Sequence, residues 1–237
     1  MRYQGPVKLE KKHPLAIRWF HWINFPSISI MVYSGLLILW AQDPTFMIAG
    51  RPVIPDGTAN YGGLGMLDFY HWLHLDGRLA EGISWHFFFM WFFAINGVLY
   101  AAYLILSGEW KTIVPQRGTL KSAMITVLHD MHLSKKEPPR AKFNGAQQIA
   151  YTTIILMGGL EVLTGIAIFK PTQQSWLTAL FGGYFIARLI HFCIMLGFVG
   201  FFAIHVAQVI RAGWNNFRAM VTGYELAPAE EAPPENV

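Results

Sequence analysis

Residues 83–106 read ISWHFFFMWFFAINGVLYAAYLIL and decide the fold. The run is almost without polar atoms, and it exceeds the ~20 residues a helix needs to cross roughly 30 Å of hydrocarbon. Three similar runs occupy residues 19–41, 149–169 and 185–210. Pro26 interrupts the first, and glycines punctuate the others, as neighbouring helices in a membrane permit. The pattern predicts an all-α integral membrane protein, a bundle of four transmembrane helices. Composition points the same way. Of the 237 residues 54% are hydrophobic and only 14% charged, against about a quarter charged in soluble domains. A soluble helical core would need polar covering surfaces that this sequence does not contain. The single cysteine, Cys193, excludes an internal disulfide, a zinc site built on cysteines and covalent haem attachment through C-x-x-C-H.

Charge placement sets the expected orientation. Fourteen of the eighteen Lys and Arg residues lie before the first run, between the second and third, or after the fourth. The remaining four are Arg51, Arg78, Lys170 and Arg188. The positive-inside rule therefore predicts that both termini and the 107–147 loop are cytoplasmic, and it accounts for the net charge of +4 without a nucleic-acid partner. Residues 1–14 are polar, with no cleavable signal expected. The membrane domain is expected to span residues 1–224. Residues 225–237, an acidic Pro-rich tail, are expected to be disordered. Between the first two spans, MLDFYHWLHLDGRLAEG (66–82) reads as an amphipathic helix on the outer surface.

Four of the nine histidines fall inside the apolar runs: His21, His86, His191 and His205. Ionisable groups in hydrocarbon are costly and usually functional. By depth they form two pairs: His21 with His205 near the cytoplasmic face, His86 with His191 near the outer face. A bis-histidine metal macrocycle needs one such pair. On the fourth run, fourteen residues separate His191 from His205. At ~100° and ~1.5 Å per residue they share a face to within about 40°, roughly 21 Å apart. Two non-covalent b-type haems fit this spacing, and zinc, which takes three or four close ligands, fits it less well. Arg18 and Arg188 each precede a histidine by three residues, where a guanidinium can pair with a haem propionate. Snorkelling at a span end is the plainer reading of each arginine alone.

Arg18-Trp-Phe-His-Trp22, Trp85-His-Phe87, Asn96-Gly97, Ser107-Gly-Glu-Trp110, Lys142-Phe-Asn-Gly-Ala-Gln147, Leu163-Thr-Gly165 and Arg188-Leu-Ile-His191 with His205 together resemble the bacterial di-haem cytochrome b superfamily. Its members include the cytochrome b subunits of nickel-iron hydrogenase, formate dehydrogenase and thiosulfate reductase. Residues 13–224 are most similar to the thiosulfate reductase type. The resemblance implies the same histidine pairing and a bacterial inner-membrane location. It also implies electron transfer between the quinone pool and a periplasmic redox partner. A molybdenum oxidoreductase is the favoured partner and a hydrogenase its nearest variant. By the same resemblance Asn144 and Gln147 are quinone-site candidates. Two rivals of other classes are a stand-alone superoxide:quinone oxidoreductase and a non-haem transporter or anchor.

Other residues have plainer readings. Glu161, the only acid deep within a span, is expected to hold helices together, with a proton-relay or cofactor-facing role as the alternative. His71 and His74 suit interfacial packing, with docking of the periplasmic partner or an additional haem or metal ligand as the alternatives. His129 and His132 suit a solvated face or proton uptake linked to quinone. Cys193 is expected to pack.

Overall fold

The computed structural model describes residues 7–42, 47–48, 51–52, 72–75, 78–135 and 143–228. The chain is mostly helical. Its long helices are α1 (Leu15–Gln42), α2 (Leu79–Ser107), α5 (Gly145–Phe169) and α7 (Tyr184–Ala212). These contain the four segments long and apolar enough to cross a membrane, as the hydropathy predicts. Between them lie α3 (Trp110–Ile113), α4 (Thr119–Asp130) and α6 (Ser175–Leu180), and α8 (Trp214–Thr222) follows α7. The spans begin up to four residues earlier than their apolar runs, because Arg18, Gly82 and the cap residue Asn144 belong to the helices or their ends without being apolar. Large side chains such as Trp91, Leu106, Leu156 and Ile204 are exposed on the spans, as lipid-facing surfaces require. The chain divides into two compact units, one of Met1–Phe20 with Gly97–Val237 and the other of His21–Asn96.

In the His21–Asn96 unit, α1 continues through Pro26. Ser27 and Ser29, just after the proline, donate to carbonyls four residues back, at Ile23 and Phe25, just before it. Gly82 is a close approach of α2 to α1: a Cβ there would lie 2.8 Å from Leu37 Cβ and 3.2 Å from the Ser34 carbonyl. Deeper in the span, Asn96 Nδ2 donates to Asn24 Oδ1 at 2.8 Å, so two amides in an apolar setting satisfy each other. At the other end Arg78 pairs with Glu81 and donates to Tyr33 Oη, which itself donates to the Leu73 carbonyl at 3.1 Å. Most of the predicted amphipathic stretch, His71 included, lies outside the described residues. Two further two-residue strands, Met47–Ile48 and Arg51–Pro52, pair antiparallel.

In the other unit, α5 packs along both α4 and α7. Asn144 caps α5 through a reciprocal capping box with Gln147. Gly145 lets α4 and α5 touch backbone to backbone: a Cβ would sit 2.3 Å from the Thr119 carbonyl and 2.6 Å from the Ala123 nitrogen. The basic 107–147 segment thus contains a helix, α4, with Leu120, Met124 and Val127 on its exposed side. Arg211, at the end of α7, pairs with Asp130 at 2.8 Å at the end of α4.

The chain ends meet in this unit. Strand β1 (Val7–Lys11) pairs antiparallel with the last strand (Tyr224–Pro228), from Val7 opposite Pro228 to Lys11 opposite Tyr224. The segment expected to begin a disordered tail at Glu225 is therefore strand as far as Pro228, and residues from 229 onward lie outside the described residues. Pairing supplies backbone partners, and Lys12 Nζ meets Glu225 Oε2 at 2.6 Å. Gly223 turns the chain at φ +91, and its carbonyl accepts from the Lys12 amide.

Candidate functional site

The span histidines occupy three helices: His21 on α1, His86 on α2, and His191 and His205 on α7. Helix α7 runs without a break from Tyr184 to Ala212, so the fourteen-residue spacing is a helical one throughout. His205 stacks on Phe201, with centroids 5.9 Å apart and planes 7° from parallel. His21 meets the edge of Trp22 at 5.0 Å.

His86 and His191 sit in matching surroundings, one in each unit. Ser34 Oγ lies 3.0 Å from His86 Nδ1. Thr164 Oγ1 lies 2.9 Å from His191 Nδ1. Both hydroxyl residues are fully buried, and each is followed by a glycine that faces the ring. A Cβ at Gly35 would stand 3.5 Å from His86 Cε1, and one at Gly165 would stand 3.4 Å from His191 Cε1. At both positions a Cβ would make an ordinary contact with the ring edge. Glu161, one turn before Thr164 on α5, places Oε1 3.4 Å from His191 Nε2. This acid therefore faces a histidine.

Arg18 Nη1 donates to the Val221 carbonyl at 2.6 Å, fastening α1 to the last turn of α8. Its Nε, with Nε and Nη2 of Arg218, is shut off from solvent and has no acceptor among the described residues. Guanidinium stays protonated, and burying such a charge without a partner is costly. Nearby, burial holds the His13 imidazole below its ordinary range, helped by the charges of Lys12 and Arg18 and opposed by Glu225. Arg188 lies 5.7 Å over the Tyr184 ring. Arg218 is a residue sequence reasoning missed, having been counted only as topogenic charge.

The candidate quinone residues, Asn144 and Gln147, cap α5: Asn144 Oδ1 accepts from the Gln147 amide at 2.9 Å, and Gln147 Oε1 from the Asn144 amide at 3.1 Å. Beside them a cavity of about 440 Å³ opens between α4, α5 and α7, lined by Ala123, Val127, Ala146, Ala150, Ile154, Phe201 and Ile204 among others. Its walls are almost wholly apolar. Phe201 links it to His205, whose ring it stacks upon. His129 Nδ1 is 3.7 Å from Asp130, which Arg211 already holds. His74 and His132 adopt positive φ, 53° and 59°, at chain turns. Cys193, expected to pack, is exposed on α7.

These features fit a b-type haem. Imidazoles held within the spans suit iron ligation, and buried guanidinium nitrogens without acceptors among the described residues suit propionate carboxylates.

Comparison with known proteins agrees. The family model for prokaryotic cytochrome b561 matches residues 12–223. A chain of Azospira oryzae, provisionally named protein-methionine-sulfoxide reductase subunit YedZ1, is 30% identical over 198 residues, covering 83% of this chain and 89% of its own. No solved structure matches the chain. The chain belongs to the prokaryotic cytochrome b561 family, whose members are multi-pass membrane proteins of electron transport, and membership implies binding of haem b.

Proposed function

We propose that this member of the prokaryotic cytochrome b561 family holds two b-type haems and carries electrons between the quinone pool and a periplasmic oxidoreductase. The carrying observation is α7, one continuous helix that presents His191 and His205 on a common face, roughly 21 Å apart along its axis. Proposed axial pairs are His86 with His191 and His21 with His205. Haem, when bound, supplies reversible one-electron chemistry at its iron. Arg18 and Arg218 would neutralise propionates at the basic end, and Arg188, one turn from His191, those at the other.

Quinone is proposed to occupy the apolar cavity between α4, α5 and α7. Its walls suit an isoprenoid chain, and Phe201 puts it against His205. The capping box uses the carbonyl oxygens of Asn144 and Gln147, so each amide retains N–H donors for a quinone carbonyl. In this reading the basic segments face the cytoplasm, and this end of the molecule with them. The Azospira oryzae chain, by its name, belongs with a reductase of methionine sulfoxide in proteins. That likeness favours a periplasmic reductase over a hydrogenase as partner, and the molybdenum chemistry implied by the resemblance remains part of the proposal.

Selective ligand removal tests the assignment. His191→Ala is expected to lose the outer haem and keep the inner, and His205→Ala the reverse, read by redox-difference spectra of the purified full chain. Retention of both haems in both variants overturns the ligand set.

A further inference from the structure

Ser34 and Thr164 belong to different units and different helices, yet each makes the same three-part contact. A hydroxyl carries one proton. Ser34 Oγ lies 2.7 Å from the Ile30 carbonyl, and Thr164 Oγ1 lies 2.8 Å from the Leu160 carbonyl. Both carbonyls are four residues back on the same helix, and a carbonyl can only accept. These distances are shorter than the 3.0 and 2.9 Å to the histidine rings. The hydroxyl proton therefore points into the helix, and the contact with the ring is made by the ring's own N–H. A neutral imidazole has one N–H. With the proton on Nδ1, the lone pair is on Nε2, which at His191 has Glu161 Oε1 3.4 Å away, so iron binding there requires the carboxyl to turn aside.

We propose that Ser34 and Thr164 are positioning residues that fix the tautomer of His86 and His191 and strengthen both as iron ligands. The proposal rests on the haem reading above and adds a control of potential to it. A hydroxyl that is itself donating accepts more strongly, and an acceptor on Nδ1–H raises the basicity of the ligating nitrogen. A more basic ligand favours ferric over ferrous iron, so each hydroxyl lowers the potential of the haem that His86 and His191 share. Gly35 and Gly165, the residues after the hydroxyls, face the same rings.

The alternative is that small residues simply allow close helix packing. A redox titration of the haem-loaded full chain separates the two. Ser34→Ala and Thr164→Val, each near the original volume, should shift one of the two titrating components to higher potential, with the double variant shifted further. The other component serves as internal reference. Thr164→Ser, which restores the hydroxyl and removes the methyl, should titrate as the parent does. Low-temperature electron paramagnetic resonance should show the low-spin signal of the same haem moving. Unmoved potentials with both haems bound overturn the proposal, as does Thr164→Ser shifting as far as Thr164→Val. Should Ser34→Ala fail to load haem, the two Thr164 variants decide alone. A parent chain with no haem overturns the proposed function instead, and is seen before any variant is made.

Discussion

Arg218 exemplifies what single residues add to the account. Its Nε and Nη2 are excluded from solvent without an acceptor among the described residues, as is Nε of Arg18. A charge-assisted bond to a carboxylate contributes about 1.5–3 kcal/mol. Arg218→Gln should therefore speed haem loss from the basic end about ten-fold or more, measured by transfer to a haem scavenger. It should also lower that haem's potential, since a positive charge stabilising the reduced form is gone. Arg218→Lys should retain part of both effects. Equal loss rates in parent and variant would remove Arg218 from the site. The four span histidines were legible because an ionisable group in an apolar run stands out by type alone. Ser34 and Gly35 were not, because small residues in spans ordinarily read as packing, and His86 is 52 residues from its hydroxyl partner.

Helix packing and strand pairing give two tests at the scale of elements. Gly145 brings α4 and α5 into backbone contact, with no flexible side chain available to yield. Gly145→Ala should cost ~1–3 kcal/mol by overpacking, seen as a lowered melting temperature in detergent. The pairing of β1 with the last strand should depend on pH through His13, which burial keeps neutral. A histidine with a depressed folded value binds fewer protons folded than unfolded, so stability is lost as pH falls below its ordinary value near 6.5. Amide protection factors in Val7–Lys11 and Tyr224–Pro228 should fall on acidification, and His13→Asn should flatten that dependence. A slope unchanged by the variant would contradict the linkage. Neither strand nor α4 was legible in the sequence. Lys- and Glu-rich segments such as VKLEK pair here only because the chain ends are brought together, and α4 lies within a stretch dominated by basic residues. The long spans were legible because length and apolarity alone determine them.

For the molecule as a whole, Val7–Lys11 and Tyr224–Pro228, which flank the four apolar spans in the sequence, lie side by side as paired strands. In the proposed orientation, drawn from the weight of basic residues, these strands face the cytoplasm, and the apolar cavity lies against α4 and α5 of the same unit. Ala150→Phe should fill this cavity, slowing haem reduction by quinol while leaving haem content unaltered. Unchanged quinol kinetics would move the quinone elsewhere. The helical spacing of His191 and His205 along one continuous helix was legible in the sequence, whereas the cavity depends on which helices neighbour one another, which hydropathy does not encode. The most direct test of the central claim is the haem content of the purified full chain, by pyridine haemochrome with a reduced-minus-oxidised spectrum. The account predicts about two b-type haems per chain, and a well-folded, haem-supplied preparation with none would contradict it.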